Sequence, residues 1–210
     1  MFSPSFGQRS RPQHAGTGSS ALICGVEGVL VPVHDRGIQP ELVVAPRLDV
    51  AEPVQRLSRQ HVMVAVGVGS RDRLDRSLRA AALDGLYRRR LRVSVEDVWP
   101  MPDGSALVAD AAPSTYSQAV RISGVPTQRC LVVESSESGV RAASAAGLRV
   151  VGLLHFVPPE EHEERAAALR RAGAYLVVRT WTDLERLHAP RRHAASRGHG
   201  AAASRPAVGV

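Results

Sequence analysis

Residues 130–153 constrain the fold more than any other part of the chain. Cys130-Leu131-Val132-Val133 is an unbroken apolar run, the mark of a strand covered on both faces in a parallel sheet. Glu134 to Ser138 is polar and reads as a turn at the carboxyl end of that strand. From Gly139 to Ala146 the residues are small, so a helix there can lie flat on a sheet. Gly147 is the glycine that closes such a helix, and Val150 to Leu153 is the next apolar run. Strand, turn, helix and strand form the building block of a Rossmann-like, doubly wound α/β parallel sheet. A polar turn at a strand's carboxyl end is where such sheets hold ligands.

The rest of the chain extends the pattern. Ala21 to Cys24 is the first buried strand, and residues 31–46, rich in Pro and Val, form a loop. Arg47 to Gln60 carries Leu48, Val54 and Leu57 with helical period. His61 to Val66 is the second strand. Ser70 then caps a helix from Arg71 to Leu83, with Leu74, Leu78 and Ala82 on one face and arginines on the other. Arg88-Arg89-Arg90 is either solvated surface or a grip on phosphate, and it leads into a strand from Leu91 to Val95. A hairpin is predicted around Pro102-Asp103-Gly104. Thr115 to Ile122 and Pro159 to Arg171 are helices, Leu176-Val177-Val178 is the final strand, and Thr182 is the expected cap of a last helix, Trp181 to Leu187. The core therefore spans residues 20–188.

Composition bears mainly on the ends. The chain has 210 residues and a net charge of +7, a length that suits one medium α/β domain. Residues 1–20 hold Arg9 and Arg11, and residues 189–210 hold Arg191, Arg192, Arg197 and Arg205, with no acid in either stretch. The middle is therefore nearly neutral. Residues 1–19 and 189–210 read as disordered tails that cannot bury a core. A basic tail attracts nucleic acid, but residues 189–210 lack the aromatic residues on which bases stack. Cys24 and Cys130 lie in apolar strands and read as buried free thiols. No apolar run reaches membrane-span length and no hydrophobic signal core follows the start. A cytoplasmic protein without membrane contact is expected.

Residues 130–153 closely resemble the fourth motif of the haloacid dehalogenase-like (HAD-like) superfamily in its β-phosphoglucomutase-like phosphatase branch, which reads CLVFEDSxxGVxAAxAAGMxVVGV. The family's acidic pair falls on Glu134-Ser135. Its first motif, hhhhDxDGVL with h apolar, falls on Ala21 to Leu30. There Gly28, Val29 and Leu30 match, the nucleophilic Asp falls on Gly25 and the acid/base Asp falls on Glu27. The Ser or Thr that donates a hydrogen bond to the transferring phosphoryl group falls on Gly67 or Val68, neither of which has a hydroxyl. KPAPDxY overlays residues 110–116. Pro113 and Tyr116 keep their places, and Asp110 stands where the family has its lysine. Only about forty residues separate Gly25 from Gly67, which implies that the family's helical cap domain is absent or vestigial.

The resemblance implies a scaffold whose reacting groups are gone. In the family the first Asp attacks phosphorus and touches Mg²⁺, while the second protonates the leaving oxygen and then activates water. Gly25 has no side chain. Glu27 keeps a carboxylate, one methylene longer, and reads equally well as a surface residue on a strand-end loop. Of the metal positions Glu134 and Ser135, only Glu134 is a credible ligand. The chain contains no lysine at all, so the charge reversal at Asp110 is not offset by another lysine, and no arginine is singled out as a substitute. Loss of a nucleophile alone costs on the order of a millionfold in rate. The expectation is a pseudoenzyme that binds a protein partner or a small anionic ligand at the rim. No cofactor is expected, with Mg²⁺ only if activity remains. The alternative is a weak metal-dependent phosphatase or hydrolase using Glu27 and Glu134, with water as the direct nucleophile. A third reading, association with nucleic acid through the arginine-rich ends, is the least favoured.

Overall fold

A computed structural model describes residues 19–33, 46–98 and 112–188. Six strands, β1 (Ser20–Gly25), β2 (His61–Gly67), β3 (Arg92–Ser94), β4 (Cys130–Glu134), β5 (Arg149–Leu153) and β6 (Leu176–Val178), form one parallel sheet in the order β3-β2-β1-β4-β5-β6. An all-parallel sheet must be covered on both faces, which is why its central strands are largely apolar. Helices α1 (Leu48–Leu57), α2 (Arg71–Ala80) and α6 (Trp181–His188) cover one face. Helices α3 (Pro113–Ser123), α4 (Glu137–Ala145) and α5 (His162–Ala172) cover the other. Side chains alternate between the two layers along each strand. In β1, Leu22 and Cys24 pack with Leu57, Leu74 and Trp181, whereas Ala21 and Ile23 pack with Tyr116, Val140 and Leu169.

This order creates the site. The chain runs outward from β1 through β2 to β3, then returns to place β4 on the other side of β1. The connections after β1 and β4 therefore leave in opposite directions, and a crevice opens at the carboxyl ends of these strands. The loop after β1 is held from both sides. Val26 N–H donates to Val66 O at 2.9 Å, and buried Trp181 Nε1 donates to Val29 O at 2.9 Å.

Most expected elements are present, and the differences have local causes. Helix α2 stops at Ala80 rather than Leu83, because Ala82 adopts a left-handed φ of 55° and Leu83 N–H closes on Leu78 O at 2.8 Å. Leu83 is nonetheless buried, so the apolar pattern continues past the helix end. Ser70 caps α2 as expected, accepting from Arg73 N–H at 3.3 Å. The last helix is capped by Thr180, not Thr182. Thr180 Oγ1 accepts from Asp183 N–H at 3.1 Å, and the Asp183 carboxylate accepts from Thr180 N–H at 3.1 Å, a reciprocal box. The turn after β4 shrinks to Ser135-Ser136, because Ser136 caps α4 through Gly139 N–H at 3.0 Å. The hairpin around Pro102-Asp103-Gly104 lies outside the described residues, as do the two tails apart from Ser19.

Among the described residues no cap domain covers the rim. Between β1 and β2 they form a tight turn and α1, which packs against α6 and is tied to it by Arg56 to Glu185 at 2.6 Å. Arg92 of β3 is buried and donates to Asp75 at 2.7 Å, to Tyr87 O at 2.7 Å and to Asp84 O at 2.8 Å. Cys24 and Cys130 are buried free thiols. No helix among the described residues is long and apolar enough to cross a membrane.

Candidate functional site

A cavity of about 480 Å³ lies at the carboxyl rim where the chain reverses between β1 and β4. Its floor carries Gly25 and Glu27 from the end of β1 and Glu134 and Ser135 from the end of β4. Helices that follow parallel strands begin at this rim, so their first turns face it. Helix α2 thereby contributes Arg73 and α5 contributes Arg165.

Glu134 is the most constrained group of the site. It is 6% exposed. Tyr116 Oη donates to its Oε1 at 2.7 Å, and the N–H groups of Ser135 and Ser136 donate to Oε2 at 3.0 and 3.4 Å. The carboxyl group stands in a slot walled by two glycines. A Cβ on Gly25 would lie 3.0 Å from Glu134 Cδ and nearer still to Oε1. On the other wall, a Cβ on Gly139 would lie 2.6 Å from both Cδ and Oε2. Glu134 thus fills the space that a side chain at position 25 would need. Burial raises its pKa above the ordinary carboxylate range, and the Tyr116 hydroxyl and the two N–H groups offset part of that rise.

Glu27 stands beside it, 15% exposed at its side chain. Its Oε2 accepts weakly from Val68 N–H at 3.4 Å, and its Oε1 lies 3.6 Å from Arg73 Nε. Burial raises its pKa, opposed by these two partners and reinforced by the Glu134 charge. Glu27 is therefore a cavity-lining group rather than a solvated surface residue. Ser135 Oγ donates to the main-chain carbonyl of Glu27 at 3.3 Å and abuts Gly28, whose φ of +77° and lack of a Cβ permit that approach.

The two positions read as the lost hydroxyl differ. Val68 lines the cavity, whereas Gly67 is backed by Leu74, whose Cδ1 and Cβ would stand 3.1 and 3.2 Å from a Cβ there. Asp110 lies outside the described residues. Arg88, Arg89 and Arg90 are exposed and precede β3 at the amino end of the strand, away from the rim, with Arg89 3.4 Å from Asp75.

The donor set decides what chemistry is available. Mg²⁺ requires near-octahedral oxygen ligands at about 2.0–2.1 Å. Among the described residues no group of three His, Cys, Asp or Glu side chains gathers to hold an ion. The Glu134 oxygens face the Tyr116 hydroxyl and main-chain N–H groups, and the Ser135 hydroxyl is directed at a carbonyl. The described residues do not fit Mg²⁺. Cys24, next to Gly25, supplies no nucleophile either. Its thiol is buried in the core beside Tyr87, and burial pushes its pKa up to about 12.

The Tyr116 hydrogen bond yields a pH-dependent expectation. Glu134 has a raised pKa in the folded state. Its contribution is therefore fully present below the unfolded value, about 4.3, and is lost as pH rises through the folded value. Tyr116→Phe removes a donor to the charged form and raises that value further. At pH 7.5 the variant should be less stable by about 1.5–3 kcal/mol, the range for a hydrogen bond to a charged group, and the deficit should shrink as pH falls toward 5. Thermal melts of both proteins across that range measure it; a deficit independent of pH would mean that Tyr116 acts by packing alone.

Reading the sequence missed Arg73, Arg165 and Gly139 and gave Tyr116 no role. Arg73 was recoverable, because Ser70 marks the start of α2 and so places Arg73 in the rim-facing turn. The contact of Tyr116 with Glu134 crosses from α3 to β4, and no local pattern announces it.

No protein-family model matches the chain, and no curated protein matches it. Solved structures do. A HAD-family hydrolase from Deinococcus radiodurans, crystallised with bound phosphate and sodium, superposes with a TM-score of 0.59 at 22% identity, over 80% of this chain and 94% of that one. A conserved haloacid dehalogenase-like protein from Agrobacterium tumefaciens gives 0.58 at 20% identity, over 82% and 98%. A beta-phosphoglucomutase-like protein from Thermotoga maritima gives 0.54 at 21% identity, over 71% of this chain and 62% of that one. At these identities the likeness is one of fold. The parallel α/β core is that of the HAD-like hydrolase fold, shared with a beta-phosphoglucomutase-like neighbour.

Proposed function

We propose that this chain is a catalytically silent HAD-fold domain that works by binding, with a small anionic ligand or a protein partner held at the carboxyl rim. The observation that carries this reading is the occupation of the space beside Gly25 by the Glu134 carboxyl group. Phosphoryl transfer depends on positioning and charge compensation, with an in-line nucleophile, a metal ion and a cationic partner acting together. Here the nucleophile position has no side chain, its space is taken, and the described donors do not fit Mg²⁺. A cytoplasmic setting suits the two free thiols.

The full chain incubated with phosphate monoesters and Mg²⁺ should show no turnover beyond that of its Glu27→Ala variant. Turnover abolished by Glu27→Ala or Glu134→Ala would overturn the silent reading. One observation favours the second reading, a weak hydrolase that activates water directly. Glu27 lines the cavity, burial shifts its pKa upward, and its Oε1 accepts no hydrogen bond among the described residues.

A further inference from the structure

We propose that the rim cavity binds, without a metal ion, a small organic anion whose charged end pairs with Arg165 and whose apolar body lies against Val33, Phe156 and Val157. This rests on the reading of the domain as a binding module and names the chemical class of its ligand.

Arg165 is half-buried on the cavity wall and makes no hydrogen bond or ion pair with any described residue. Glu161 stands one turn before it and lines the same cavity. That order of charges four residues apart is the favourable one, yet the two side chains do not pair. A guanidinium is always charged, and its planar fork matches a carboxylate or a phosphate group. The other cation, Arg73, already faces Glu27 at 3.6 Å and comes from the β2 side of the crevice. Arg165 comes from the β5 side.

The seat is therefore displaced from the floor between β1 and β4. There Glu134 fills the slot beside Gly25, and Leu74 backs Gly67. Glu27 and Glu134 on the floor and Glu161 on the wall oppose a bare, multiply charged ion. They leave room for a ligand with its charge at one end. Val33 is 66% exposed and Phe156 half-buried at the mouth, apolar surface that a ligand's body would cover. The cavity, about 480 Å³, falls within the usual range for small-molecule sites, about 300–1,000 Å³.

Calorimetry on the full chain in EDTA, with four probes, tests the proposal. Benzoate or phenyl phosphate should bind at one site, and whichever binds tighter identifies the anionic group. Benzyl alcohol and inorganic phosphate should bind at least about tenfold more weakly, because each lacks one half of the recognition, and Arg165→Gln should weaken the organic anion by at least about tenfold, the loss of one charge-assisted hydrogen bond. Phe156→Ala should weaken it as well, whereas Arg170→Gln, on the exposed far part of α5, should not. No binding of either organic anion, equal binding of inorganic phosphate, or wild-type affinity in Arg165→Gln would each overturn the proposal. Its failure is distinguishable from failure of the silent reading. Hydrolysis of phenyl phosphate that Glu27→Ala abolishes removes silence and leaves the seat standing, whereas no binding together with no hydrolysis removes the seat alone.

Discussion

Gly25→Asp, the change that places an acid where the HAD-like first motif has its nucleophile, is expected to destabilise the domain by about 3 kcal/mol or more and to give no phosphatase activity. The new side chain enters a slot already filled. Its Cβ would lie 3.0 Å from Glu134 Cδ, closer still to Oε1, and its carboxylate would join a buried one that pairs with no cation among the described residues. Retreat of Glu134 would cost the hydrogen bond that Tyr116 donates to Oε1, and the Gly139 main chain stands close on the opposite side. For a chain of this size 1 kcal/mol shifts the melting temperature by roughly 2–4 °C, so a fall of at least roughly 6 °C is expected. The double variant Gly25→Asp with Glu134→Ala should recover part of that loss, with a coupling energy of about 1–3 kcal/mol. A Gly25→Asp variant that melts within roughly 2 °C of the parent would show that Glu134 does not occupy the slot.

The second large effect lies away from the rim. Arg92→Met should cost about 3–5 kcal/mol, the usual penalty for removing one partner of a buried ion pair. Arg92 and Asp75 are 6% and 10% exposed at their side chains and 2.7 Å apart. The guanidinium also satisfies the carbonyls of Tyr87 and Asp84 at the turn after α2. Without it Asp75 keeps, among the described residues, only the ion pair with Arg89, at 3.4 Å on a side chain that is 83% exposed, and an exposed partner repays little. Arg92→Met with Asp75→Leu should be more stable than Arg92→Met alone, because no charge is then left stranded. Chemical denaturation measures both. A loss below about 1 kcal/mol in the single variant would place Asp75 in solvent rather than in the core.

These sites mark where reading the sequence succeeds and where it stops. The strands were legible because a parallel sheet buried on both faces demands apolar runs, and residues 130–133 and 150–153 supply them. The rim positions were legible as places, because the glycines and the polar turn keep their spacing. Their contents were not. Reading the sequence reports Gly25 as a position without a side chain, whereas the fold shows the Glu134 carboxyl group from β4 standing directly beside it. That relation joins residues more than one hundred positions apart and depends on side-chain direction, which carries no periodic signal. Arg92 illustrates the same limit, since among so many arginines nothing local distinguishes a buried one from its solvated neighbours. Thr180 and Thr182 were separated by geometry alone, since both residue types suit a cap.

The glycine-walled slot also bears on which positions can vary together. A side chain at position 25 or at position 139 fits only if the Glu134 carboxyl group moves. The three residues therefore form one packing unit, in which a substitution at any of them should be tolerated best when the other two change with it.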